Sequence, residues 1–307
     1  MKTDLHKRIY QAQCIGNVEP IEYMIPYPSL RSVIEGQNIK FSKQVIHEKT
    51  GITNQNFYEF VQQTAHWLER IGLKPKERII LPELEFPQAE ILLFGVWDMG
   101  AIAVLHSDIP LETVMAKCKT DHVIDADIDL FKTIDNFPVY FDPKHKPLLD
   151  DEALITFETG VGIRLSHYNL LINANGVQKA IGLRSRTRFS CPLSANSSAW
   201  VVLKAILPIY CGCIYDDENP ERVIANTGGD FTLRNDLENL SSFGENELAV
   251  CPENSAVLTL GKSPLHLTNL TLNENALIIQ GHSVMMGYLD DEMNESSFLD
   301  NALCLSI

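Results

Sequence analysis

The sequence predicts an α/β fold built on parallel strands with crossover helices. Three observations carry this prediction. Strand-like and helix-like segments alternate from residue 77 to residue 127, and the alternation resumes after Asp150. Beyond about residue 225 the segments shorten and turn-rich sequence takes over, which adds a small β-rich part near the C-terminus.

Taken in order, NQNFYEFVQQTAHWLERI at 54–71 places Phe57, Phe60, Val61, Leu68 and Ile71 on one helical face. Thr53 or Asn54 caps its start and Gly72 ends it. ERIILPEL at 77–84 reads as a short buried strand, 87–99 as a helix stopping near Gly100, and AIAVLH at 101–106 as a second strand. Pro110 starts a helix through Lys119, and HVIDAD at 122–127 makes a third strand. FPVYFDPKHKPLLDD is rich in proline and charge, and a soft boundary near 138–150 divides the chain into 1–140 and 141–307. After it, EALITF is a strand, 166–182 is mainly helical with Ser166 as a cap, and AWVVLKAIL at 199–207 is another helix. ENALIIQG at 274–281 is a strand ending in a turn. No internal repeat or low-complexity segment stands out.

At 307 residues the chain can bury a substantial core, and its 45% hydrophobic and 21% charged content is ordinary for a globular protein. A net charge of −15 argues against general nucleic-acid binding or attraction to anionic membranes. The apolar stretches 89–106 and 200–215 are interrupted by Asp98 and Gly100, and by Lys204 and Pro208, so no membrane span is expected. MKTDLHKRIYQAQ lacks an apolar run of signal-peptide length, so a cytoplasmic protein is expected. The seven cysteines are scattered and fit reduced core thiols, and CGC at 211–213 has no second pair at zinc spacing. No G-x-S-x-G elbow or H-x-x-x-H pair is present. Asp290-Asp291-Glu292 suits a solvated helix start, and Met285-Met286 suit the core.

Several motifs then occur in one order. FYEFVQQTAHWLERIGLKPKERIILPELEFPQAEILLFGVWDMGAIAVL, ALITFETGVGIRLSHYNLL at 153–171, PERVI at 220–224, TGGD at 227–230, FGENE at 243–247 and IIQGHSVMMGYLDDEMNESSF at 278–298 follow one another. Together, over about residues 35–300, they resemble the N-terminal domain of the adenylate-forming superfamily of acyl- and aryl-CoA synthetases, luciferases and adenylation domains. The resemblance implies two stacked, mainly parallel sheets. It implies a reaction in which a carboxylate attacks the α-phosphate of ATP to give an acyl-adenylate and pyrophosphate. In such enzymes a Gly/Ser/Thr loop offers backbone N–H groups to the phosphates, a lysine comes from a smaller C-terminal domain, and Mg²⁺ neutralises pyrophosphate.

Departures from the pattern bear on each step. Thr159, Gly160 and Gly162 keep the flanks of the phosphate loop, while Val161 stands where most of its middle, lysine included, would be. Gly160-Val161-Gly162 reads as a residual anion nest or, more simply, as a tight strand-to-helix turn needing two small residues. Glu158 stands where a hydroxyl is expected, and a carboxylate about 4 Å from a phosphate charge costs on the order of 4 kcal/mol at an effective dielectric near 20. Ser194 and Ala195 replace the aromatic and histidine of the acyl-pocket segment. Between PERVI and TGGD only Ala225 and Asn226 remain of a strand, helix and strand, which is expected to shorten the second sheet. The resemblance places Gly228, Gly229 and Asp230 beside the adenine, Phe243 stacked on it, Gly244 and Asn246 in the same motif, and Glu247 as the magnesium ligand. An acidic turn residue is the competing reading for Glu247. The stretch NALCLSI stands where the ribose-binding aspartate is expected, and the lysine-bearing domain has no counterpart in the sequence.

These departures predict a degenerate relative, impaired in or without ATP-dependent activation, that binds a carboxylic acid or acyl group or serves as a partner in a biosynthetic complex. The alternative is an active AMP-forming ligase whose C-terminal domain is supplied in trans, and a third reading is a remnant without selected activity. ATP or AMP and Mg²⁺ are ligands only if the residual site works. A protein partner or self-association is expected where an uncovered apolar surface remains.

Overall fold

The computed structural model describes residues 4–273 and 276–307. Three sheets organise the chain. The first takes Arg78–Ile80, Ile102–Leu105 and Glu152–Thr156 in parallel, with Ile163–Ser166 antiparallel at its edge. The second has nine short strands. Its parallel centre runs Glu247–Val250, Phe231–Arg234, Arg222–Ala225, Arg188–Ser190, Ile214–Tyr215 and Val45–His47 in spatial order. Val257–Leu260 and Ser263–Pro264 close one edge antiparallel, and Ile52–Thr53 closes the other. The third is a four-stranded antiparallel sheet near the C-terminus, Thr268–Asn273, Ala276–Gly281, Ala302–Ser306 and Phe298–Leu299. Residues 274 and 275 of the predicted strand ENALIIQG lie outside the described residues.

Local chemistry sets the principal helices. Asn54–Arg70 begins with a capping box between Thr53 and Asn56, and Ser166 with Asn169 repeats the device at the start of His167–Ile181. Phe57, Val61 and Leu68 of the predicted face are buried, Phe60 is half-buried, and Ile71 is 45% exposed because the helix has already ended at it. Helix Gln88–Asp98 is buried from Ala89 onward, so it shows an apolar surface on every side rather than one stripe. Asn173, 0% exposed, ties His167–Ile181 to the second sheet: its Nδ2 donates to the carbonyls of Asn254 and Val257, and its Oδ1 accepts from Val257 N.

Two predicted elements differ. The third strand at 122–127 reduces to a single parallel bridge between Ile80 and Val123. Asp125 ends it, since its Oδ1 accepts from Asp127 N at 2.9 Å and folds the backbone into a turn. The helix at 199–207 becomes Ser198–Trp200, a π-helical turn Val201–Ile206 and Leu207–Cys211. The deletion after PERVI leaves the second sheet unbroken: Arg222–Ala225 and Phe231–Arg234 are parallel neighbours joined by only five residues, 226–230.

Among the described residues no helix is long and apolar enough to cross a membrane. The seven cysteines are free thiols, six of them buried.

Candidate functional site

The segment 157–162 is a hairpin loop rather than a strand-to-helix turn. Ile163–Ser166 returns antiparallel to Glu152–Thr156, with Ile163 and Leu165 buried and Arg164 paired to Glu152, Nη2 to Oε2 at 2.7 Å. Gly160 holds φ +86° and its N–H donates to Phe157 O at 2.9 Å, so that donor serves the turn itself. Thr159 and Gly160 are exposed. Gly162 lies so close to Leu289 that a Cβ would collide with it and press on Phe157, and Leu289 N donates to Gly162 O at 2.7 Å.

Glu158, in the same loop, is held by two hydrogen bonds. Its Oε1 accepts from Ser198 N, the first amide of the helical turn Ser198–Trp200, at 2.8 Å and from Thr156 Oγ1 at 3.2 Å. Burial raises its pKa against those hydrogen bonds. Beside it, Glu253 follows strand Glu247–Val250 and is 9% exposed. Glu253 Oε1 accepts from Tyr288 Oη at 3.3 Å, and its pKa is raised by burial and further by the charge of Glu158. A half-buried acid, Glu158, and a buried one, Glu253, therefore stand on the carboxyl side of strands from different sheets. Sequence reasoning missed Glu253; the signal available was the proline-acid turn closing the apolar run LAV in LAVCPEN.

Gly228, Gly229 and Asp230 form the short parallel connection. Gly228 is exposed with φ +73°. A Cβ on Gly229 would lie 2.9 Å from both Val223 O and Phe231 O, and Asp230 Oδ2 accepts from Val223 N at 2.8 Å. These residues let the chain step between parallel strands without a helix, which normally takes a dozen or more residues.

Phe243, Gly244 and Glu247 do come together, around a residue the sequence reading overlooked. Arg234 Nη1 donates to Glu247 at 3.1 and 3.2 Å, and its guanidinium lies 4.3 Å from the Phe243 ring centre. Its Nε donates to Asp236 at 2.8 Å. Gly244 N donates to Glu247 at 2.6 Å and, with Arg234, holds that carboxyl below its usual range. Phe243 is 3% exposed and has Arg234 over one face. The side chain of Asn246 is exposed, while its carbonyl accepts from Thr232 N at 3.0 Å. Glu247 opens its strand, while Arg234 is the last residue of the neighbouring parallel strand. The loop 157–162 and the segment Cys191–Ala195 follow carboxyl ends, where open α/β sheets bind ligands. Ser194 is exposed and Ala195 buried.

Magnesium does not fit Glu247, because Mg²⁺ needs near-octahedral oxygen ligation and both carboxylate oxygens here face a guanidinium or an amide. Among the described residues no group of three or more His, Cys, Asp or Glu side chains is placed to hold a metal.

Comparison with solved structures identifies the fold: it is that of the N-terminal domain of adenylate-forming ligases. The anthranilate CoA ligase AuaEII in complex with anthranoyl-AMP superposes with a TM-score of 0.73 at 13% identity, covering 92% of this chain and 74% of that one. NpsA-ThdA of Klebsiella oxytoca, an artificially fused adenylation–PCP di-domain, gives 0.71 at 16% identity over 92% and 71%. The N-terminal domain of FACL13 from Mycobacterium tuberculosis gives 0.71 at 13% identity, and 95% of that domain is covered by 90% of this chain. This chain thus has the size and fold of one such domain. No family model matches its sequence, and no curated protein does.

Proposed function

We propose that this domain binds a carboxylic acid or acyl group without activating it through ATP. The observation that supports this most is the Glu158 carboxylate seated on the Ser198 amide at 2.8 Å, which puts the chain's own carboxylate in the loop that the family resemblance assigns to phosphate. An ionised Glu158 about 4 Å from a phosphate charge repels it by on the order of 4 kcal/mol at a dielectric near 20, and Glu253 adds to the same field. AuaEII holds anthranoyl-AMP. We assign the acyl part of such a ligand to the segment carrying Ser194 and Ala195, and the adenylate part, with Thr159, Gly160, Gly162, Gly228, Gly229, Asp230, Phe243, Gly244 and Asn246 as its remnant contacts, to a function that has been lost. The protein then works in the cytoplasm as a binder, and exposed Val139, Tyr140 and Leu148 offer surface for a protein partner or a second copy. The alternative, a ligase completed in trans, rests on Phe243 and Glu247, and Arg234 engages both.

The test is ATP–pyrophosphate exchange together with calorimetric titration of Mg-ATP and of a non-hydrolysable acyl-adenylate analogue. No exchange and no heat at millimolar nucleotide are expected. Micromolar nucleotide binding, about −8 kcal/mol, would overturn the reading and favour the ligase completed in trans.

A further inference from the structure

Two buried polar groups and the half-buried Lys204, between helix Gln88–Asp98, the π-helical turn and strand Ile214–Tyr215, have unused hydrogen-bonding capacity. Glu90 is 1% exposed; its Oε1 accepts from Trp200 Nε1 at 3.2 Å, and its Oε2 has no partner. Tyr215 is 3% exposed and its Oη also has none. Lys204 Nζ donates to Leu193 O at 3.3 Å and lies 5.8 Å from the centre of the Phe86 ring, which itself sits 4.3 Å from the Tyr215 ring. The Lys204 ammonium opposes the burial that raises the pKa of Glu90, so its field reaches that carboxyl. Lys204 is carried by the π-helical turn, a rare geometry that concentrates at functional sites. Buried groups of this kind are ordinarily satisfied, and a native structure that leaves two open asks for an occupant.

The charges select the occupant. A carboxylate would face Glu90, and an ammonium would face Lys204. A methyl group would leave every open valence unmet. A hydroxyl both accepts and donates: it can take a hydrogen bond from Lys204 Nζ or Tyr215 Oη and give one to Glu90 Oε2. The segment Cys191–Ala195, assigned above to the acyl part of the ligand, touches this cluster through Leu193. We propose that Glu90, Tyr215 and Lys204 form a polar seat for the hydroxyl of a hydroxylated carboxylic acid, which makes them the residues that select among acids. This rests on the acid-binding reading above and names its substrate class.

Calorimetric titration of the full chain with two matched pairs tests it: 4-hydroxybutanoate against pentanoate, and 4-hydroxybenzoate against benzoate. At least one hydroxy acid is expected to bind about 10-fold or more tightly than its partner, the range for hydrogen bonds to charged groups. Tyr215→Phe and Glu90→Gln should each erase most of that preference. Tyr215→Phe should not lower the melting temperature of the free protein and should raise it if anything, because Oη makes no hydrogen bond to lose and its burial without a partner costs stability. Equal binding within both pairs, or a preference that survives both substitutions, overturns the hydroxyl seat and leaves the acid-binding reading standing. No binding of any of the four acids overturns both.

Discussion

Replacing Glu90 by glutamine tests the energetics of the buried acid directly. Burial raises its pKa from 4.5 to about 7, with Lys204 and the Trp200 indole opposing. A carboxyl whose folded pKa lies above its unfolded one stabilises the protein fully below the unfolded value, and that contribution disappears as pH rises through the folded value. The window here is therefore about pH 4.5 to 7. A difference of that size is worth about 3 kcal/mol, so ionising Glu90 should cost the wild type up to about that much by pH 8. Glutamine keeps an acceptor for Trp200 Nε1 and carries no charge. It introduces one buried N–H in place of the open Oε2, which costs about 1 kcal/mol if unpaired. Urea unfolding at pH 5 and pH 8 measures the outcome. Glu90→Gln should be more stable than wild type at pH 8 by about 1–3 kcal/mol, and the advantage should shrink or vanish at pH 5. Equal pH dependence in the two proteins, or a variant less stable at pH 8, would refute the claim that Glu90 ionises in an unsolvated place.

The other expectations concern packing and the altered site. Gly229→Ala should lower unfolding stability by about 1–3 kcal/mol, because its Cβ would meet Val223 O and Phe231 O at 2.9 Å; an unchanged urea midpoint would mean the short parallel connection is loose. Asn173→Ala should cost about 2–4 kcal/mol by stranding the partners of its three hydrogen bonds at the helix–sheet junction, and a loss under 1 kcal/mol in the same assay would show water replacing them. A double-mutant cycle of Arg234→Met and Glu247→Gln should give a favourable coupling that weakens with added salt, while zero coupling at low salt would break the account of why Glu247 is not free for magnesium.

The sequence by itself determined whatever depends on neighbours a few residues apart. Thr53 and Ser166 announce helix starts because a cap is satisfied within three residues. The runs around Ile79, Ala103 and Leu154 announce parallel strands because buried strands are apolar on both faces. The order of the motifs anticipated the fold to which the solved structures correspond. Tertiary structure decided the rest. Asp125 cut a plausible strand to one bridge by folding onto Asp127. Arg234 reached Phe243 and Glu247 from a neighbouring strand, and no spacing rule links those positions. Glu158 found its amide 40 residues away at Ser198, and Glu253 found Tyr288 at a distance of 35. A caps-and-periodicity reading senses forces that act along the chain. Desolvation, charge pairing and hydrogen bonds between distant residues are set by what the fold brings across it, and in this protein those contacts define the candidate site.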